Sequence, residues 1–429
     1  APGESPEVSC APGESPEVSC APGESPEVSC APGESLEVFR APGESPEFFN
    51  MPIWISQDTE FQKYIASLPA ESPVAIDTEF EWTRTYYPRL ALLQMAVEKD
   101  NCALVDPFAI TDWTPLRTLL TDSARIKIVF SGKNDLPILV RVCGGYENCR
   151  PAAIADLQIA MGFCGHAANA SLKSVIETIF GITLDKSETR SDWTQRPLTA
   201  QQLAYAADDV VLLPEAFQRI ASQLRQHGNY DFFLEEMQLF GAAELYAGSE
   251  PSAAWRRIGG YRRIRGELPR TRIRALAKWR EETAQANDLS RNRLLHDEAL
   301  IRVALSDTLA PADIMRLPRI HKPTVKRFQN NLLAIWKTPD DAPPEPPEPR
   351  NPLNTTARKT YFNQRLERIM GLIRQRAEAR HIDSTLLGTR HDAETLVLQA
   401  LQKLPLDGRL LHGWRATLLQ SAISEILEK

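Results

Sequence analysis

Two carboxylates stand two residues apart in the run Val74-Ala75-Ile76-Asp77-Thr78-Glu79-Phe80. Val, Ile, Thr and Phe favour an extended strand, and strand side chains alternate between faces, so Asp77 and Glu79 point the same way. Two acids side by side repel each other unless a cation lies between them. An isolated Asp-x-Glu is ordinarily a solvated sheet edge, but further acids fall in similar places. Ile126-Lys127-Ile128-Val129-Phe130 reads as a buried strand, Ser131-Gly132-Lys133-Asn134 as a turn, and Asp135 opens an apolar segment running to Val142. Pro137 suits the first turn of a helix there. Thr199 reads as a helix N-cap with Gln202 at the capping-box position, and Tyr205 and Asp209 then share a helix face at i, i+4. Taken singly, Asp135 is a plain helix cap and Tyr205 a half-buried core aromatic.

The order is more specific than its parts. Asp-x-Glu on a strand, Asp at a strand-to-helix junction and Tyr-x-x-x-Asp on a late helix resemble the DEDDy 3′–5′ exonucleases. Three segments narrow the likeness: Thr85-Tyr86-Tyr87-Pro88-Arg89-Leu90, the stretch Leu184 to Leu198 with Ser191-Asp192-Trp193 inside it, and Tyr205-Ala206-Ala207-Asp208-Asp209-Val210. These resemble the ribonuclease D family, from about Ile53 to the C-terminus. The resemblance implies a ribonuclease H-like α/β exonuclease domain. It also implies phosphodiester hydrolysis with two divalent cations, Mg²⁺ or Mn²⁺, about 3.5–4 Å apart on hard oxygen ligands. By the same resemblance Asp77 bridges both ions. Glu79 and Asp209 complete the site that holds the attacking water, Asp135 holds the second ion, and Tyr205 orients or helps deprotonate the water. Asp208 lacks the i+4 spacing to Tyr205 and is assigned to the surface. Arg84, Tyr86, Tyr87 and Arg89 are candidates to hold the RNA 3′ end, against ordinary hairpin packing as the alternative. Lys186, Arg190, Trp193 and Arg196 read as supports for the helix that carries Tyr205 and Asp209.

The 429 residues allow two or three domains, with 43% hydrophobic and 24% charged residues as in ordinary globular chains. The net charge of -7 arises in residues 1–50, which hold ten Glu and one Arg; the remainder is near neutral, acidic over 51–225 and basic beyond. An acidic catalytic half joined to a basic half suits cations at one end and a polyanion at the other. Residues 1–50 are five copies of a decapeptide rich in Pro, Gly, Glu and Ser, expected to be disordered. Residues 51–228 are expected to form the exonuclease domain, with strands at Val74–Phe80, Leu90–Val97, Cys102–Val105 and Ile126–Phe130. Helices are expected at Trp113–Leu120, Asp135–Val142, Leu172–Phe180 and Thr199–Leu224.

Residues 229–338 read as connecting helices and a first HRDC domain, a small helical nucleic-acid-binding module, on Asp297-Glu298-Ala299-Leu300 and Leu317-Pro318-Arg319-Ile320. Ten basic residues and one acid between Trp255 and Arg280 suit either a solvated helix face or phosphate contact. Seven prolines from Pro339 to Pro352 mark residues 339–353 as a stiff linker. Residues 354–429 resemble a second, more diverged HRDC domain.

The seven Cys lack zinc-site spacing, no signal peptide is visible, and no apolar run reaches the ~20 residues of a membrane span. A cytoplasmic chain with reduced thiols is expected, with no membrane association and no stable protein partner. The seven His form no constellation. The resemblance favours an exoribonuclease releasing mononucleotides, with tRNA precursors as substrate. A DNA 3′–5′ exonuclease on the same fold, or a non-catalytic nucleic-acid binder, are the alternatives. The residues' own chemistry does not separate RNA from DNA.

Overall fold

The computed structural model describes residues 52–184, 188–189, 191–344 and 352–428. The decapeptide array, Lys186, Arg190 and residues 345–351 of the Pro-rich linker lie outside them. Six strands form one mixed sheet: β1 (Ile53–Ile55), β2 (Val74–Glu81), β3 (Arg89–Glu98), β4 (Asn101–Val105), β5 (Lys127–Val129) and β6 (Ile154–Asp156), in the order β1-β4-β3-β2-β5-β6. β2, β3 and β4 run antiparallel, while β5, β6 and β1 join parallel to their neighbours. β1 and β6 are three residues each and escape the sequence reading, because so short a run carries no periodicity.

β2 is central, and its residues Val74, Ala75 and Ile76 are buried. Asp77 pairs with Gln94 and Glu79 with Leu92, and the register shifts between Glu79 and Phe80. The expected helix Thr199–Leu224 is two helices, Ala200–Val211 and Leu213–Gln226, because Pro214 at the start of the second cannot donate into the first. The first packs across β2, β3 and β4, which brings its Tyr205–Asp209 face onto the strand bearing Asp77 and Glu79.

The helical remainder has two apolar cores. One, around Trp255, Ile273, Leu300, Val325 and Trp336, belongs to residues 254–336 alone. The other joins the sheet to the C-terminal helices in one continuous cluster that includes Phe163, Phe233, Ile373 and Trp414. Phe233, Met237 and Phe240 sit in this second cluster. Chain just beyond residue 228 therefore packs with the exonuclease sheet, although the sequence reading groups it with the first helical domain. Among the described residues no helix is long and apolar enough to cross a membrane.

Candidate active site

β2 delivers Asp77 and Glu79, and the helix Ala200–Val211 delivers Asp209. One oxygen from each of these three carboxylates lies within 4.8 Å of the others, on half-buried side chains. The helix is positioned by its capping box: Gln202 N–H donates to Thr199 Oγ1 at 3.1 Å and Thr199 N–H to Gln202 Oε1 at 3.0 Å. Asp135 opens the helix Asp135–Val142, is 8% exposed, and accepts a hydrogen bond from the Thr78 hydroxyl. It thus stands beside the three-carboxylate cluster, tied to β2 by the residue between Asp77 and Glu79.

Burial raises all four acids, and the charge of neighbouring carboxylates adds to it. Burial first, then the charges of Asp135, Asp209 and Glu79, pushes Asp77 well above the usual carboxylate range. Glu79 is pushed up to about 8 by burial and by Asp209 and Asp135. Burial takes Asp209 to about 7 and Asp135 to about 6, the latter held back by its Thr78 hydrogen bond. Among the described residues no salt bridge reaches any of the four. A divalent cation with oxygen preference fits this donor set, because it supplies the charge the protein withholds.

The Tyr205 hydroxyl lies 3.3 Å from Thr189 Oγ1, near enough to Asp209 to temper the rise of that acid. Burial and the nearby Asp209 push its phenol up to about 12, so it stays protonated at neutral pH. Trp193, 4% exposed, packs a tilted ring 6.0 Å from Tyr205. Arg196 forms a bidentate bridge to Asp106 and donates to Ala91 O, pinning this segment to the sheet. Trp193 thus touches the helix it was expected to support, whereas Arg196 holds to the sheet side rather than to that helix. Asp208 corrects the sequence reading: it is half-buried, and its charge helps raise Asp209.

Asp156 was missed. It ends β6, is 1% exposed, and its carboxylate accepts from Ser131 N (3.2 Å), Gly132 N (3.0 Å), Gln158 N (3.0 Å) and Ile159 N (3.3 Å). It both caps the next helix and holds the turn that aims Asp135. At Gly132 an added Cβ would come 2.5 Å from Val129 Cγ2, so the turn closes only over glycine. The signal available was an Asp directly before a helical run.

The four residues proposed to hold the 3′ end are already engaged in part. Glu281, 1% exposed, accepts from the Tyr86 hydroxyl at 2.6 Å, from Arg257 at 3.1 Å and from Arg291 Nε and Nη2 at 2.6 Å each. Asp288 Oδ1 accepts from the Tyr86 and Tyr87 amides at 3.1 Å, and Arg84 O accepts from Ser290 N. Arg141 lies over the Tyr87 ring, and Arg89 over Phe108. The post-β2 loop is therefore a tether to the first helical core. The basic run divides in the same way. Arg270, Arg272 and Arg280 donate to backbone carbonyls inside the helical domain and Arg274 to Pro343 O in the linker, whereas Arg256, Arg262, Arg263 and Arg265 are exposed.

The chain is similar in sequence and fold to known proteins. Residues 52–225 match a family described as 3′–5′ exonuclease, and residues 270–335 match the HRDC domain. The chain is 31% identical over 386 residues to ribonuclease D of Escherichia coli, covering 87% of this chain and 98% of that one. It is 31% identical to ribonuclease D of Cronobacter turicensis over 83% of this chain and 94% of the relative. The crystal structure of Escherichia coli RNase D, described as an exoribonuclease involved in structured RNA processing, superposes with a TM-score of 0.73 at 30% identity. That superposition covers 88% of this chain and 98% of that one.

Proposed function

The chain belongs to the ribonuclease D family of 3′–5′ exoribonucleases, and we propose from this premise that it releases mononucleotides from the 3′ ends of structured RNA, precursor tRNA foremost. The observation that carries the reading is the cluster of Asp77, Glu79 and Asp209 within 4.8 Å, with Asp135 alongside. Asp77, Glu79 and Asp209 would hold one divalent ion and Asp77 with Asp135 a second, Mg²⁺ or Mn²⁺. Such ions, when bound, lower the pKa of a coordinated water and neutralise charge building on the phosphate. The protein's part is to keep the oxygens convergent and to place Tyr205. With its phenol protonated, Tyr205 supports orientation of the attacking water by hydrogen bonding rather than proton abstraction.

The HRDC domain at 270–335 is a nucleic-acid-binding module, and we read residues 354–428 as a second one. Support comes from a shared order of elements. A long helix (Glu267–Asn287; Thr356–Arg380) ends on a left-handed residue, Asp288 or His381. A four-residue helix follows (Arg291–Leu294; Ser384–Leu387), then a medium helix (Asp297–Leu305; Arg390–Leu401). A short turn of helix (Pro311–Ile314; Arg409–Leu411) precedes a terminal one (Lys322–Lys337; Gly413–Glu428).

The test is Asp77→Asn assayed on 3′-labelled RNA and its DNA counterpart, with and without Mg²⁺. The variant is expected to lose single-nucleotide release by at least about 10³-fold while its circular dichroism stays native. Retained release by Asp77→Asn would defeat the assignment, and equal hydrolysis of the DNA would move the substrate class.

A further inference from the structure

Trp82 is 69% exposed, more than any other large apolar side chain among the described residues. Single exposed apolar residues are common and by themselves mean nothing. This one stands three residues after Glu79, just beyond the end of β2, on the border of two cavities of 540 and 650 Å³. The larger cavity is lined by aromatic side chains to an unusual degree: besides Trp82 it has Phe80, Tyr86, Tyr87, Tyr146 and Tyr246. Its charged lining consists of Lys133, Arg141 and Arg291, with no carboxylate. It also abuts the catalytic cluster along the chain, since Phe80 follows Glu79 and Asn134 precedes Asp135.

Most of these rings already have partners. Tyr146 stacks on Tyr246 at 5.1 Å, Tyr86 meets Tyr87 edge-on at 4.7 Å, and Arg141 covers Tyr87. Trp82 is left with an open face. Aromatic surface bordered by cations, with lining residues next in sequence to two of the catalytic acids, is complementary to single-stranded nucleic acid, whose bases stack while its phosphates meet the cations. We propose that the unpaired bases just upstream of the scissile phosphate in an RNA 3′ tail occupy this cavity. Trp82 then stacks on one base at its mouth, and Lys133 and Arg141 flank the backbone. Stacking is tolerant of sequence, so this contact serves an enzyme that must step along any tail. The proposal rests on the exoribonuclease reading above.

The experiment compares wild type, Trp82→Ala and Trp82→Phe in binding a 5′-fluorescein single-stranded RNA in EDTA, where no hydrolysis intervenes. The same RNA is also prepared with one abasic nucleotide walked back from the 3′ end. Trp82→Ala should weaken binding by roughly 5- to 150-fold and Trp82→Phe should recover most of the loss. Wild type should be weakened by an abasic nucleotide at one or two positions, and Trp82→Ala should be indifferent at those positions. Affinity unchanged in Trp82→Ala, or an abasic profile identical to wild type, overturns the proposal. Hydrolysis of intact RNA by wild type in Mg²⁺ is scored separately. Its absence overturns the exoribonuclease reading, whereas its presence with an unaltered Trp82→Ala variant overturns only the stacking assignment.

Discussion

Glu79 shows most plainly what the site asks of its residues. A carboxyl pushed up to about 8 is mostly protonated at neutral pH, and its neighbours Asp77, Asp135 and Asp209 are displaced the same way. Each of these acids binds its proton more tightly folded than unfolded. Between the ordinary carboxylate value near 4 and about 8, the native state therefore holds more protons, and stability falls as pH rises. Metal-free protein in EDTA should accordingly melt lower at pH 8 than at pH 5, and millimolar Mn²⁺ should restore the loss at pH 8 by binding only the native state. Asp77→Asn should flatten the EDTA profile. Thermal scans across this range check it, and a melting temperature in EDTA that climbs from pH 5 to pH 8 would contradict the electrostatic account.

At the scale of elements, the loop between β2 and β3 is held at both ends of its function. The strand that leads into it carries Asp77 and Glu79, and its middle is tied to the helix Glu267–Asn287 and the residue capping it through Glu281 and Asp288. Removing Glu281 leaves Arg257 and Arg291 facing each other without their shared anion. Glu281→Ala should therefore destabilise the protein by on the order of 2 kcal/mol, a partial exposure of both arginines keeping the figure modest. Tyr86→Phe, which removes one hydrogen bond to the same carboxylate, should cost about 1 kcal/mol. Denaturant midpoints measure both, and a Glu281→Ala variant as stable as wild type would mean the tether contributes nothing.

For the molecule as a whole, the two helical modules attach differently although their elements run in the same order. Each presents the turn after its long helix to the exonuclease domain. Ser290 N bonds Arg84 O, while Asp383 N bonds Gly162 O and Asp383 Oδ2 accepts from Ala168 N. Among the described residues only the C-terminal module shares an apolar core with the sheet. Trp414 lies against Phe163 and Phe232, and Arg415 forms a bidentate pair with Glu236 at 2.7 and 2.9 Å. A chain ending at residue 353 should lose cooperative melting and aggregate, because it uncovers Phe163, Phe233 and their neighbours. A truncated protein that stays monomeric and melts like the full chain would refute the shared core.

Local chemistry was legible in the order of residues. The alternation around Asp77 and Glu79 and the capping box of Thr199 and Gln202 depend on near neighbours, which a one-dimensional pattern records. The convergence within 4.8 Å of acids 132 positions apart was reached only through the family resemblance, and the clamp of Asp156 on the turn before Asp135 and the engagement of Tyr86 by Glu281 were not legible. Each joins groups remote along the chain, and the free energy that selects such a pairing comes from burial and desolvation. Those quantities exist only once the sheet and helices have closed on one another.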